Sequence, residues 1–439
     1  MLQIKKSLPE VHGTVGIPHG AGFWRKMLAF GGPAFLVSVG YMDPGNWATD
    51  IEAGSRFGYG LLWVLLLSNA MALLLQSLAA RLGIASGRDL AQACREFLPH
   101  PWGVLLYVPC QIAIIACDLA EVLGGAVGLN LLTGWPLLTC ALVVSLNVFL
   151  MFLLQARGMR WLEAGIVSLV ATIGGCYVIE IWMAQPDWGG VLRGLFTPKL
   201  SATPVDGGSS ALYVAIGIIG ATVMPHNLYL HSALVQTRMV TPTPEGRKEA
   251  IRFNFIDSAV ALNGAFLVNA SILIVAASVF FRNGIPVEEL QQAHATLQPL
   301  MGGAAAFLFA LALLASGQSS TLTGTLAGQI VMEGFLHLRT APWVSRTLTR
   351  VLALIPAVIV ILWKGDHGTY DLLILSQVIL SLQLPFAVIP LVLFTSNRAI
   401  MGEFAIGTKT KILAWMVSAL LVSLNLWLLV ETFFGAKSP

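Results

Sequence analysis

Long runs of apolar residues, separated by short polar segments, dominate the pattern along this chain. Four of these runs contain no Asp, Glu, Lys or Arg: residues 57–80, 207–237, 258–281 and 372–397. Each run exceeds the roughly 20 residues that a helix needs to cross a bilayer. Because the runs are continuous rather than alternating, they predict spanning helices and not the strands of a membrane barrel. The pattern therefore indicates an all-α polytopic membrane protein.

The polar and Gly/Pro-rich boundaries between the apolar runs predict eleven spans. They lie near residues 28–53, 60–83, 103–130, 136–155, 162–184, 211–237, 256–281, 303–336, 350–364, 369–395 and 410–433. With the N-terminus placed in the cytoplasm, 19 of the 25 Lys and Arg residues fall on the cytoplasmic side. The six on the outer side are Arg56, Arg193, Lys199, Arg282, Lys364 and Lys437. This bias predicts a cytoplasmic N-terminus and an extracellular C-terminus.

Composition agrees with the membrane assignment and excludes several classes of protein. The chain is 56% hydrophobic but only 11% charged, less than half of the roughly 25% that is typical of globular domains. Soluble enzymes, secreted disulfide scaffolds and nucleic-acid-binding proteins are therefore excluded. The five cysteines are odd in number and lie mostly in apolar runs, so they are interpreted as small core residues. The first 26 residues are polar and basic, so the first apolar run is expected to serve as its own insertion signal.

Two predicted spans are interrupted by similar helix-breaking sequences. Span one contains Tyr-Met-Asp-Pro-Gly-Asn at 41–46, and span six contains Met-Pro-His-Asn at 224–227. Proline removes an N–H donor and disfavours helical geometry in the residue before it. Non-helical backbone at membrane depth is tolerated only where it is buried in protein or lines a polar cavity. Paired breaks at matching depth in two halves of a chain predict the substrate site of a transporter.

The side chains at the breaks favour a transition-metal ion as the substrate. Asp43 offers an anionic oxygen, Asn46 a neutral oxygen and Met224 a soft thioether, and the likeliest freed carbonyl groups are those of Gly40 and Ala221. Oxygen ligands alone suit Mg²⁺ or Ca²⁺, whereas a thioether favours softer ions such as Mn²⁺, Fe²⁺ or Cd²⁺. The hypothesis is therefore a site for a divalent transition metal between the two breaks.

The two broken-helix sequences resemble the signature motifs of the Nramp family of divalent-metal transporters. Further similarity lies in Thr133-Gly134, in the eighth-span segments 315–321 and 324–329 and in the tenth-span segment 375–381. The resemblance implies a LeuT-like fold of two inverted five-helix repeats, with discontinuous helices 1 and 6 and an eleventh helix. It divides the chain into an N-terminal segment (1–27), a first repeat (28–184), an extracellular loop (185–210), a second repeat (211–395) and an eleventh span with the C-terminus (396–439).

The resemblance also implies a mechanism and a set of functional residues. The implied metal ligands combine side-chain and carbonyl groups: Asp43, Asn46, Met224, the Ala221 carbonyl and, in an occluded state, Gln377. The chain is expected to import Mn²⁺, and also Fe²⁺, Cd²⁺, Co²⁺ or Zn²⁺, through the cell membrane together with protons. Metal and protons are then transported substrates, and we expect no permanently bound cofactor, no nucleic acid and no obligate protein partner besides the surrounding lipid.

Acidic and basic residues near the breaks suggest how protons take part. Asp118 and Glu121 are three residues apart and share one face of span three, where buried carboxylates are costly unless paired or protonated. Arg350 is a possible counter-charge and matches an arginine of the family's proton pathway. His226 lies in the break, where a proton role and a purely structural hydrogen bond remain alternatives. Cys117 stands where the family commonly has a threonine.

Burial favours a neutral Asp43 in the empty site, so metal binding is expected to displace a proton toward Asp118 and Glu121.

Three alternative functions make different demands on the sequence. A LeuT-like symporter for organic solutes would hold a substrate carboxylate near Asp43, which would repel it. A magnesium transporter on the same scaffold would have no use for the Met224 thioether. An intramembrane enzyme would need a nucleophile–base pair or a His-Glu-x-x-His site, and neither is found in the sequence. A transporter is therefore expected rather than an enzyme.

Overall fold

The structure is a computed structural model, and it describes residues 7–9, 11–18, 20–99, 101–146, 149, 153–154, 157–200, 210–336, 342–364 and 367–434. This part of the chain is almost entirely helical. Its only β contact is an isolated parallel bridge between Val15 and Arg238. The all-α architecture predicted from the apolar runs is therefore confirmed.

In the N-terminal half, the structure gives the bounds of ten helices and one 3₁₀ turn within the described residues. They are α1 (Phe23–Phe30), α2 (Pro33–Gly40), α3 (Pro44–Phe57), the turn Gly58–Leu61, α4 (Leu62–Ser86), α5 (Leu90–Phe97), α6 (Trp102–Leu105), α7 (Tyr107–Thr133), α8 (Leu137–Ser145), α9 (Met159–Ala184) and α10 (Trp188–Phe196). Predicted span one is thus three short helices in series rather than one.

The described residues of the C-terminal half form nine helices and three 3₁₀ turns. They are α11 (Ala211–Val223), α12 (Pro225–Leu234), the turn Val235–Thr237, α13 (Pro244–Val279), the turn Phe281–Asn283, α14 (Leu290–Met301), α15 (Gly303–Leu336), α16 (Pro342–Lys364), α17 (His367–Ser396), α18 (Arg398–Met401), the turn Gly402–Phe404 and α19 (Thr408–Phe434). Span six is broken between α11 and α12, as the sequence predicts.

Eight helical segments of the described chain are long and apolar enough to cross a membrane. The difference from the eleven predicted spans has a local cause in each case. The turn Gly58–Leu61 joins α3 to α4, so spans one and two count as one segment, Pro44–Ser86. In span four α8 is short, and several predicted residues after it lie outside the described chain. Span nine is a shorter apolar helix, Thr347–Trp363.

The long helices α7 and α15 pack closely against each other beside the broken helices. A Cβ atom on Gly317 would lie 2.7 Å from the Cα of Gly125, so the two backbones touch where neither residue has a side chain. Both long helices are buried over most of their central turns. Because hydrophobic burial gives little drive for association inside lipid, such small-residue contacts stabilise helix pairs by allowing close approach.

Candidate metal centre

The first break is an N-cap built into the middle of span one. Asp43 has extended backbone geometry, and its carboxylate accepts a hydrogen bond of 2.7 Å from the backbone N–H of Asn46. Pro44 occupies the first position of α3, where its missing N–H costs nothing. The carboxylate therefore caps the new helix and is fixed at the buried centre of the protein, where Asp43 is 0% exposed.

The second break places Met224 in a strained conformation. Its φ of 34° is in the left-handed region, which residues other than glycine rarely adopt. Pro225 follows directly and starts α12. The Met224 sulfur accepts from the Asn227 amide at 3.5 Å, and a Cβ on Gly40 would lie 3.2 Å from that sulfur. The thioether is therefore held against the first break, and backbone strain of this kind is typical of functional sites.

The two breaks meet at the side chain of Asn46. Its Nδ2 donates to Asp43 Oδ1 at 2.7 Å, to the Ala221 carbonyl at 3.0 Å and to the Gly40 carbonyl at 3.3 Å. One carboxylate oxygen and two freed carbonyl oxygens thus converge on one electropositive nitrogen. The predicted ligand atoms of both breaks are brought together, and their roles as metal ligands stay a prediction.

Gln377 on α17 completes this group of residues. It is fully buried and lies beside Asp43, and a Cβ on Gly45 would overlap its Nε2 atom. Nε2 donates to Ser376 at 3.0 Å, whereas the Oε1 atom has no hydrogen-bond partner among the residues that the structure describes. The side chain can therefore offer a further oxygen to an ion between the breaks.

Neighbouring helices satisfy the carbonyl groups that the first break releases. Asn269 Nδ2 donates to the Tyr41 carbonyl at 2.6 Å. The Met42 carbonyl accepts from Ser316 Oγ at 2.5 Å and from Trp47 Nε1 at 3.2 Å. The Gly40 and Ala221 carbonyl groups instead accept from the Asn46 amide at the centre, and the Gly40 carbonyl also accepts from the Asp43 N–H at 3.2 Å.

A second buried cluster lies on α7, α15 and α16. Arg350 Nη1 is 3.7 Å from Asp118 Oδ1, and Arg350 Nη2 donates to Thr321 Oγ1 at 2.9 Å. A Cβ on Gly324 would be 3.0 Å from a carboxylate oxygen of Glu121 and 3.2 Å from one of Asp118. The structure thus groups the predicted acidic pair and its predicted counter-charge, and the missing side chain at Gly324 makes room for both carboxylates.

Cys117 connects this cluster to the second break. Its sulfur lies 3.6 Å from Glu121 Oε1 and 3.6 Å from His226 Nε2. The His226 Nδ1 atom has no hydrogen-bond partner within the described part of the chain. The contacts run from His226 through Cys117 to Glu121, Asp118 and Arg350, so four predicted residues of the proton pathway form one continuous group. The connecting role of Cys117 was not predicted, because it depends on two helices meeting.

Two residues at the centre were missed although the sequence carries a signal for one of them. Asn227 follows Met224 by three residues, the same spacing as between Asp43 and Asn46. Its Nδ2 also donates to the Val37 carbonyl at 3.3 Å, which ties α12 to α2. Trp47 has no comparable signal, since an indole next to Asn46 is equally typical of ordinary core packing.

No group of three or more His, Cys, Asp or Glu side chains that could hold a metal occurs in the described residues. Such groups characterise resident zinc and iron sites. The candidate centre uses one carboxylate, amides, carbonyl groups and a thioether instead. That mixture offers few charged ligands, as suits an ion that must bind and then leave.

Comparison with known proteins gives close relatives. A family model described as natural resistance-associated macrophage protein-like, abbreviated Nramp, matches residues 34–431. The divalent metal cation transporter MntH of Nostoc sp. strain PCC 7120 is 56% identical over 433 residues, which cover 98% of this chain and 97% of that protein. The protein of the same name from Bradyrhizobium diazoefficiens is 55% identical over 432 residues, covering 98% and 95%.

Solved structures agree with this similarity. The Eremococcus coleocola manganese transporter superposes with a TM-score of 0.92 at 38% identity, covering 99% of this chain and 93% of that one. Mhp1, a nucleobase-cation-symport-1 family transporter, gives a TM-score of 0.61 at 14% identity, with 98% and 97% covered. The second likeness concerns the fold alone. Together they confirm the LeuT-like fold class expected from the sequence, whereas the boundaries of the two repeats stay a prediction.

Proposed function

The chain belongs to the Nramp family of divalent metal cation transporters, and on this premise we propose that it carries Mn²⁺ into the cytoplasm together with protons by alternating access. Fe²⁺, Cd²⁺, Co²⁺ and Zn²⁺ are proposed as further substrates. Members of this family are transporters and not enzymes, as expected from the sequence. The metal is cargo in this proposal, and no cofactor is bound permanently.

The observation that carries the proposal is the convergence of three acceptor oxygens on Asn46 Nδ2. The oxygens belong to Asp43, Gly40 and Ala221, at 2.7 to 3.3 Å from that nitrogen. Oxygens that surround one positively polarised atom can also surround a cation. If the Asn46 amide turns about its last torsion, its own oxygen replaces the nitrogen and the group becomes a set of oxygen ligands.

The Met224 thioether supports a transition metal over Mg²⁺ or Ca²⁺. Hard alkaline-earth ions gain little from sulfur, whereas softer ions gain affinity from it. The strained backbone at Met224 supports a functional role for this residue, because strain persists only where the surroundings hold it. An organic solute with a carboxylate would meet the Asp43 carboxylate instead of a cation, so that alternative is disfavoured.

The buried cluster around Asp118 supports proton coupling. Among the described residues its two carboxyl groups are matched by one guanidinium, that of Arg350, so the cluster can accept a proton without creating a new unpaired charge. The metal requires an ionised Asp43, and the proton that leaves this group can move toward His226 and the cluster. We propose the cell membrane as the location, with the N-terminus in the cytoplasm, on the basis of the Lys and Arg distribution.

The test is Mn²⁺ uptake into proteoliposomes, with wild type and Met224→Ala compared in the presence of excess Ca²⁺ or Mg²⁺. We expect saturable uptake by wild type that resists both competitors, and a variant that loses this resistance. Met71→Ala is the matched control, because Met71 is a buried methionine on α4 and belongs to neither broken segment. Folded wild type that transports no Mn²⁺ would contradict the proposal.

A further inference from the structure

A short N-terminal segment, residues 7–9 and 11–15 and here called the strap, is folded into the protein ahead of the first helix. Three of its apolar side chains are buried, with Leu8 2%, Val11 5% and Val15 7% exposed, and all three belong to the main hydrophobic core. Terminal segments are usually poorly ordered unless specific contacts hold them. The burial of this terminal segment therefore needs a specific explanation.

One end of the strap is bound to α5 and α15. Ser7 Oγ donates to Asp89 Oδ2 at 2.7 Å, directly before α5 begins. The backbone N–H of Leu8 donates to Glu333 Oε2 at 3.0 Å, in the last turn of α15. This end is therefore tied to the helix whose Ser316 holds the first break in place.

The other end of the strap is bound to the segment that directly follows α12. Gly13 N–H donates to the Gln236 carbonyl at 3.1 Å, Val15 N–H donates to the Thr237 carbonyl at 3.0 Å, and Met239 N–H donates to the Val15 carbonyl at 2.9 Å. Because α12 starts beside Met224, the strap connects the half-helix of the second break to the far end of α15.

We propose that the strap is a latch, which must detach before α12 and α15 can separate and let the metal leave through this face of the protein. The inference rests on the alternating-access cycle proposed above, because only a protein that opens this face needs a latch there. The position of the strap across the two elements is what distinguishes a latch from a terminal tail that lies on one helix.

The contacts of the strap are suited to release. Asp89 Oδ1 keeps its bond to the Gln92 N–H at 2.9 Å, and Glu333 Oε1 keeps its bond to Gln329 at 2.7 Å, when the strap departs. Of the four carboxylate oxygens, only Asp89 Oδ2 and Glu333 Oε2 then need a hydrogen bond from water. Leu8 has a φ of 50°, a conformation that residues other than glycine rarely adopt, so the bound strap is also strained.

The decisive experiment locks the strap reversibly in the full-length protein. Ser7→Cys and Asp89→Cys are combined and joined with a short, reducible bis-methanethiosulfonate linker, and Mn²⁺ uptake into proteoliposomes is measured before linking, after linking and after reduction. We expect uptake to fall at least about tenfold on linking and to recover on reduction, a change that corresponds to roughly 1.4 kcal/mol or more. The two single variants are the controls, and all five native cysteines are buried.

Linked protein, verified by mass spectrometry, that transports at the unlinked rate would overturn the latch. A failure of the proposed function is distinguishable, since wild type without any linker would then show no Mn²⁺ uptake. If the double variant does not fold, hydrogen exchange of Ser7→Ala decides. A latch predicts faster hydrogen exchange in the strap and in residues 236–239 together, whereas faster exchange in the strap alone would overturn it.

Discussion

The amide nitrogen of Asn46 lies 3.0 Å from the carbonyl oxygen of Ala221, so a single hydrogen bond joins two broken helices whose residues are 175 positions apart. Each break alone would leave polar backbone unsatisfied in a buried setting. Together they satisfy part of each other's hydrogen bonding and leave their remaining oxygens pointing at one place. The candidate centre is therefore a property of the pair of breaks and not of either one.

Replacing Asn46 with alanine is expected to weaken metal binding in a protein that still folds. The change removes the bonds to Asp43, Gly40 and Ala221, each worth about 1 kcal/mol net, and one proposed ligand. We expect Mn²⁺ affinity to fall at least about tenfold by isothermal titration calorimetry of protein that remains monodisperse. Asn69→Ala is the control, because Asn69 bonds Asn263 away from the breaks. Equal affinity loss in both variants would argue against a ligand role for Asn46.

Gly124→Ala is expected to disturb the first break through a single added methyl group. A Cβ there would overlap the ring of Pro44, the residue after Asp43, and a proline ring cannot turn away. Overpacking of this kind costs roughly 1–3 kcal/mol, so we expect a folded protein with strongly reduced Mn²⁺ uptake. Gly174→Ala is the matched control, since nothing lies within 4 Å of the added Cβ. Wild-type uptake in Gly124→Ala would contradict the close approach of Pro44.

The positions of the two main breaks could be predicted because proline and glycine act locally. Another interruption of span one, at Gly31 and Gly32, was not predicted, although the residues are plain in the sequence. Gly32 has a φ of 125°. Its N–H donates to Asp257 Oδ1 at 3.3 Å, although the two residues are 225 positions apart in the sequence. Such a break depends on a distant partner, and a single local sequence does not reveal which glycines have one.

At the candidate site, the residue types beside each break could be predicted from the sequence, whereas the contacts between helices could not. The chemistry of Asp43, Asn46 and Met224 follows from the residue types beside a break. That Cys117 lies between His226 and Glu121 follows only from the packing of α7 against α12. Residue type and spacing therefore point to candidate ligands within one helix, whereas contacts between helices require the fold.

Asp118→Asn is expected to separate proton flux from metal flux. The change removes one carboxylate from the cluster, together with the ion pair between Asp118 and Arg350, but it alters no group at the breaks. We expect proton influx driven by Mn²⁺, followed with a pH-sensitive dye inside proteoliposomes, to fall by a larger factor than ⁵⁴Mn²⁺ uptake in the same vesicles. Asn269→Ser, which alters a bond to the first break instead, should lower both fluxes in parallel. Equal losses in Asp118→Asn would show that the two substrates do not use separate groups.

Asp89 is expected to make the stability of the folded protein depend on pH. It lies outside the spanning segments, and burial raises its pKa from 3.8 to about 6, against the opposing effect of hydrogen bonds from Gln92 and Ser7. The folded state therefore holds the proton more tightly than the unfolded state. The resulting stabilisation is present in full below about pH 4 and is lost as pH rises through 6; at about 1.4 kcal/mol per pH unit it amounts to roughly 3 kcal/mol.

Asp89→Asn tests this dependence because asparagine can still cap α5 but cannot ionise. We expect the melting temperature of the variant in detergent to rise relative to wild type between pH 4.5 and pH 7.5, with most of the change between pH 4.5 and pH 6 and little above pH 7. Asp187→Asn, at an exposed helix cap, is the control for replacing a capping carboxylate by an amide. If the curves of Asp89→Asn and wild type are parallel, burial does not raise the pKa of Asp89, and its carboxylate is charged at no cost beneath the strap.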